Sequence, residues 1–245
     1  MSVIPEYFYP FRPNESHYIS DDALRNAVKQ VVDCIFATQQ QEEAKMYRNV
    51  IDPFSAIFDG VVLELSLTDW LKTEKARQVQ KTVQNKIGEF HQNILGSLPG
   101  WENLGRGKIV DIRNTSRKIV AELKNKHNTT KGDFQAGVYN KLATVLSQPD
   151  YQAFTAYYVL IIPKNKRFTE KPFTPSDNET KTRKSTNEMI RQISGKEFYA
   201  LATEVPEALS MLFNVLPDVI SEVAGIKNFI EQHKADFRSL FDRAY

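Results

Sequence analysis

The sequence predicts an α/β protein in which a small mixed β-sheet is flanked by helices, with extra helices toward the N- and C-terminal ends. Three features predict it. Apolar residues recur at three-and-four spacing between Ser20 and about Gly96, β-rich runs cluster between about 105 and 193, and helical spacing returns from about Glu197. With 245 residues, 41% of them hydrophobic, the chain can bury a real core. We expect one domain over 1–245, made of an irregular arm at 1–20, a helical part at 21–96, a sheet core at 105–193 and C-terminal helices at 194–245.

The arm is rich in Pro and aromatic residues (Pro5, Pro10 and Pro13 with Tyr7, Phe8, Tyr9 and Phe11), a composition that favours an irregular course held down by its rings. Ser20 is a natural N-cap, and Leu24, Val28, Val31, Val32, Ile35 and Phe36 lie on one face of a helix running to about Gln40. A turn is expected around Asp52-Pro53-Phe54. A long helix should follow from about Asp69 to Leu95, ended by the breaker cluster Gly96-Ser97-Leu98-Pro99-Gly100. Lys108–Ile112 and Lys118–Lys124 then read as a β-hairpin around a polar turn from Arg113 to Arg117. Residues 132 to 147 return to helical spacing. Phe154 to Ile162, stopped by Pro163, is a near-continuous apolar run that suits a central strand next to the hairpin, buried on both faces. Residues 164–188 are polar, contain Pro172 and Pro175, and read as a long exposed loop before a short strand at Met189–Ile193. The C-terminal helical part should break near Leu216-Pro217.

Composition excludes several classes. Thirty-two Lys and Arg stand against thirty Asp and Glu, so overall charge does not announce a nucleic-acid binder and any such case must rest on local clustering. Cys34 is the single cysteine, which rules out an internal disulfide or a cysteine zinc site and fits a reducing compartment. No run approaches about 18 consecutive apolar residues, and the start lacks a basic region followed by an apolar core, so we expect no membrane association and a cytoplasmic location.

Chemistry concentrates between Asp111 and His127. Side chains alternate along a strand, so Glu122 and Lys124 share one face while Ile119, Ala121 and Leu123 point to the other. The hairpin can bring Asp111 beside Glu122, giving two hard oxygen ligands flanked by an ammonium, a set that suits Mg²⁺ acting on a phosphate. A bare Glu-x-Lys is by itself an ordinary strand pair; context singles this one out. From Arg106 to Lys131 there are eight basic residues, and the only acids are Asp111 and Glu122. Basic surface around two carboxylates argues for a polyanionic substrate over a sugar or a peptide.

The order helix, Asp, Glu-x-Lys, helix, strand resembles the PD-(D/E)XK nuclease superfamily, and in particular its type II restriction endonucleases. Ile51-Asp52-Pro53-Phe54-Ser55, Gly88-Glu89-Phe90-His91-Gln92-Asn93-Ile94-Leu95-Gly96 and the stretch from Glu122 to Gly132 are similar to the group that cuts GGNCC, over about residues 45 to 217. Val110 stands where that superfamily often has a proline before its Asp. The resemblance implies a Mg²⁺-dependent endonuclease core in which Asp111 and Glu122 hold the metal, the Leu123 carbonyl adds a ligand, Lys124 orients or activates water, and Glu89 joins as a further acid. It also implies double-stranded DNA as substrate, 5′-phosphate ends, a homodimer on a palindromic site, a cognate DNA methyltransferase as functional partner, and a bacterial or archaeal cytoplasm.

Lys126, His127, Asn128, Thr130 and Lys131, just past the Glu-x-Lys strand, are placed to touch phosphates or base edges. Gln135 is a further DNA-contact candidate; with Tyr139 it resembles a Gln-x-x-x-Tyr pattern of superfamily exonucleases, a spacing that helix geometry also produces alone. His91 and His127 have no ligand spacing and are expected to hydrogen-bond. The 164–191 stretch carries eight basic against four acidic residues, enough either to wrap DNA or to be solvated. Two rivals stand beside the restriction enzyme: another nuclease of the superfamily, such as an exonuclease or junction resolvase, and a non-catalytic DNA-binding or interaction protein.

Overall fold

Ser20 caps the first helix, its Oγ accepting from the Ala23 N–H at 3.2 Å, and the apolar stripe behind it turns inward. The structure, a computed structural model, describes residues 19–40, 51–105, 107–127, 132–177, 180–226 and 231–245. The arm up to residue 18 lies outside the described residues, as do Asn128, Thr130 and Lys131. Helix α1 is Asp21–Gln39, with Leu24, Ala27, Val28 and Val32 buried. Helix α2, Pro53–Val62, stands where a turn was expected: Asp52 accepts from the Phe54 and Ser55 N–H groups, and Pro53 occupies the first helical turn, where its missing N–H costs nothing. Helix α3, Leu67–Gly96, is capped by Ser66 and spans about 45 Å at 1.5 Å per residue.

The strands that follow are β1 (Trp101–Asn103), β2 (Ile112–Asn114) and β3 (Ile119–Lys126); then come helix α4 (Gly132–Leu146), a single tight turn at Pro149–Tyr151, and β4 (Thr155–Ile162). Next are β5 (Glu170–Pro172), β6 (Ser176–Asp177), β7 (Thr182–Arg183) and β8 (Ile190–Ser194), and last the helices α5 (Gly195–Thr203), α6 (Ala208–Ala224) and α7 (Glu231–Ala244). One sheet runs in the order β1-β2-β3-β4-β8-β5. Its centre, β3-β4-β8, is parallel and its flanks are antiparallel; β6 and β7 pair separately.

Alternation along the central strands divides the core. Ile119, Ala121, Leu123, Tyr157, Val159, Ile161 and Ile193 face α1, the end of α3, α5 and α6. Val120, Ala156, Tyr158, Leu160 and Ile190 face α4 through Val138, Leu142 and Val145. Strand β4 is apolar on both sides because it is covered on both sides.

Four expectations are corrected. The first hairpin strand is Ile112–Asn114, not Lys108–Ile112, and the turn shifts to Thr115–Lys118, with Lys118 at φ +53°. A further strand, β1, pairs outside it. The polar 164–188 stretch is not all loop: β5 pairs with β8 at the sheet edge, β6 and β7 make a small ladder, and Phe173 is buried against Tyr158. The C-terminal break falls at Glu204, which adopts φ +60° just before Val205-Pro206, whereas Pro217 lies inside α6. That helix tolerates the loss of one hydrogen bond while Ala208, Leu209, Leu212 and Val219 bury its inner face.

Candidate active site

Strand β3 alternates as its sequence predicts, so Glu122 and Lys124 lie on the α4 side while Leu123 is buried in the opposite core layer. Asp111 sits one residue before β2 and is tied to β3 twice. Its N–H donates to the Ala121 carbonyl at 3.0 Å, and its Oδ2 accepts from the Leu123 N–H at 2.7 Å. The ladder pairs Ile112 with Ala121, and continuing that register by one residue sets Asp111 opposite Glu122.

Glu122 is 4% exposed and would be a costly charge if unpaired. Two lysines pair it. Lys124 Nζ donates to Oε1 at 2.8 Å, and Lys141 Nζ, reaching down from α4, donates to Oε2 at 2.7 Å. Burial, reinforced by the Glu122 charge, pushes the Asp111 carboxyl up to about 6, against the pull of the Leu123 N–H and the two lysines. For Lys124, burial pushes the ammonium down, but Glu122 and then Asp111 outweigh it and hold it above the usual lysine range.

This donor set fits a hard divalent cation. Asp111 and Glu122 stand opposite each other on neighbouring strands, burial and then the Glu122 charge raise the Asp111 carboxyl, and a cation between them would relieve both. Among the described residues no three His, Cys, Asp or Glu groups gather into a ligand cluster. Glu89 stands in the last third of α3 with its carboxylate on Lys86 Nζ at 2.7 Å. His91 is half-buried, bonds the Tyr199 hydroxyl through Nδ1 at 2.8 Å, and packs edge-on against Phe90 and Tyr199; loss of solvent around the ring lowers its imidazole to about 4, so it is neutral at pH 7. Its role joins α3 to α5.

His127 and Gln135 line a cleft of about 500 Å³ beside the C-terminal ends of β3 and β4. Lys164, Arg167, Lys171 and Arg183 line it too, with no carboxylate among the lining residues. Leu160, the strand partner of Lys124, is in the same wall, so the cleft begins next to the Glu-x-Lys strand. Lys126 ends β3 opposite Ile162. Tyr139 turns from Gln135 to donate to the Ser185 carbonyl at 2.8 Å, tying α4 to the segment before β8.

Lys141 is the site residue that sequence reasoning missed. Its signal is its position: Val138, Leu142 and Val145 form the inward stripe of α4, and a lysine three residues after Val138 stands at the edge of that stripe, facing the sheet.

Residues 16–225 match the family model described as Eco47II restriction endonuclease. The chain belongs to the Eco47II restriction endonuclease family. It is 39% identical over 234 residues to the type II restriction enzyme Eco47II of Escherichia coli, covering 93% of this chain and 98% of that protein. It is also 31% identical over 181 residues to the type II restriction enzyme Sau96I of Staphylococcus aureus, covering 73% of this chain and 69% of that protein. Membership in the Eco47II family makes the chain a site-specific deoxyribonuclease acting on double-stranded DNA, and the mixed six-stranded sheet between helices is consistent with a restriction-endonuclease fold. Restriction enzymes of this kind use a divalent metal. The exonuclease, resolvase and non-catalytic alternatives give way to this membership.

Proposed function

We propose that the chain is a Mg²⁺-dependent type II restriction endonuclease acting as one domain, and that Asp111, Glu122 and Lys124 are its reaction centre. The carrying observation is the juxtaposition of a carboxylate pair with Lys124: Asp111 is fastened to the Leu123 N–H, while Glu122 and Lys124 project from the same face of β3. Asp111 and Glu122, with the Leu123 carbonyl between them in sequence, would hold the metal, and Glu89 is the candidate for a further acid. Bound Mg²⁺ supplies Lewis-acid stabilisation of charge on the phosphate and acidifies an attacking water.

The protein's own residues do the rest. Lys124 holds a positive charge where the attacking water must sit and favours its deprotonated form. Attack at phosphorus opposite the 3′ oxygen breaks the P–O3′ bond and leaves a 5′-phosphate. Lys164, Arg167, Lys171 and Arg183 in the cleft, with Lys126 and Lys131, track the sugar-phosphate backbone, and His127, Asn128, Thr130 and Gln135 contact phosphates or base edges. Among the described residues one chain carries one such centre, so cutting both strands of a palindrome calls for a homodimer on DNA. A cognate methyltransferase would protect the host's own sites, in the cytoplasm of a bacterial or archaeal cell, and GGNCC is the target we propose.

Digesting a plasmid of known sequence and mapping the ends tests class, site and polarity together. Asp111→Asn and Glu122→Gln should each reduce cleavage by several orders of magnitude while gel-shift affinity for the target persists, because a repulsive carboxylate charge is removed. Lys124→Ala should abolish cleavage and leave metal binding intact, and Ca²⁺ should support specific binding without turnover. Near-normal cutting by all three folded variants would remove the assignment.

A further inference from the structure

Helix α2 presents its residues the wrong way round for a helix packed on its own chain. Phe54, Ile57, Phe58 and Val61 recur at the three-and-four spacing that normally faces a core, yet with Val62 and Leu63 they are between 61 and 73% exposed. The side turned to α3 is the small one. Ala56 and Gly60 are partly buried there, and Asp59, on the same side of the helix, accepts from the Trp70 indole N–H at 3.0 Å. At 100° per residue Asp59 lies about 150° around the helix from the centre of the apolar stripe, so this bond fixes the stripe facing outward. Asp52 and Pro53 start the helix independently of any packing on that face.

The size of the face indicates what it meets. Phe54, Ile57, Phe58 and Val61, roughly 150–200 Å² each and about two-thirds exposed, offer roughly 500 Å² on this face, with Val62 at its edge, so two copies together bring about the 1,000 Å² that a specific interface needs. The order of the stripe is self-complementary. Two copies of α2 laid antiparallel about a two-fold axis passing between Ile57 and Phe58 set Phe54 against Val61 of the other copy and Ile57 against Phe58, a large side chain against a smaller one at every level. Asp59 is the single charged residue within the helix and it points away from this seam.

We infer that the outer face of α2 is the surface through which two copies of this chain pair. The inference rests on the homodimer reading above and adds the place where the copies touch. Sedimentation of the full-length chain, alone and with a single-site duplex, tests it together with a cross-link. The unaltered chain should sediment as a dimer, and Phe58→Glu should weaken the dimer at least tenfold while far-UV circular dichroism is unchanged and supercoiled plasmid is nicked instead of linearised. Ile57→Cys, made in a Cys34→Ser background, sits beside the proposed axis and should give a covalent dimer on mild oxidation, whereas Lys29→Cys on α1 should not. An unaltered chain found as one copy per duplex while cutting both strands would overturn the homodimer and this face with it. A dimer that survives Phe58→Glu and does not cross-link through Ile57→Cys would overturn the face alone, leaving α2 to another occupant.

Discussion

Glu122 divides its charge between two lysines, one from its own strand and one from the next helix. The proposed reaction gives a role to Lys124 and none to Lys141, which stands as a counter-ion to the buried Glu122. Lys141→Met should therefore act in opposite directions on two measurements. Metal-free stability in denaturant should fall by about 1–3 kcal/mol, because a buried carboxylate loses one of its partners. Ca²⁺ titrated into the same variant should bind several-fold more tightly, because a competing cation has gone. His91 supplies a separate pH signature. Its folded-state value near 4 lies below the unfolded imidazole at 6.5, so the unfolded chain binds the extra proton between these limits and stability is lost as pH falls from 6.5 toward 4, by about 3 kcal/mol when complete. Asp111 has the opposite sign, since its raised carboxyl makes the folded chain bind the extra proton from about pH 4 to 6. The His91 contribution is thus read as a difference: His91→Gln, which retains a partner for the Tyr199 hydroxyl, should flatten the acid side of the stability profile relative to the unaltered chain.

At the scale of elements, the start of α5 lies close against β4. A Cβ on Gly195 would lie 2.4 Å from the Ile161 carbonyl oxygen of β4, so Gly195→Ala must force backbone apart and should cost more than about 2 kcal/mol in chemical denaturation. What the sequence shows of these elements follows from how local their causes are. Ser20 and the stripe behind it predict α1, and the unbroken Phe154–Ile162 run predicts a doubly covered β4, because each signal lies within its own segment. Asp111, Glu122 and Lys124 could be picked out for the same reason: a hairpin and strand alternation suffice to bring them together. Strand β5 could not. Glu170-Lys171-Pro172 has no alternation of its own and becomes a strand only by pairing with β8, which lies some twenty residues later. Asp52-Pro53 misled in the other direction, since the pair that opens a turn is also the pair that starts a helix. Lys141 was hidden because its partner is on another element.

Across the whole molecule, positive charge gathers where the parallel strands end. Lys164, Arg167, Lys171 and Arg183 come from the β4–β5 connection, β5 and β7, and they meet His127 and Gln135 around one cleft. Residues from such scattered elements share a surface and no base-specific geometry, an arrangement that suits the phosphate contacts proposed above better than base readout. Arg167→Ala should weaken specific and random duplexes by similar factors and lower the slope of log affinity against log salt by about 1. A loss confined to one cognate base pair would make Arg167 a reader instead. The α4 side of the sheet, where Glu122 emerges, carries one helix among the described residues, with Phe173 and Phe154 beside it, while the other side carries α1, α3, α5 and α6.

The position of β8 between β4 and β5 has a consequence in time. Asp111 and Glu122, eleven residues apart on one hairpin, precede β4, β5 and β8 in the chain and are available to each other early in synthesis, with β4 following as the next parallel strand. Strand β5 is made soon afterwards but has no neighbour to join until Ile190–Ser194 has been added and laid against β4. Lys171 on β5 therefore reaches its place in the cleft only after β8 has taken its own. The proposed reaction centre thus rests on a hairpin complete in itself, whereas the cleft beside it closes only around strands that come later in the chain.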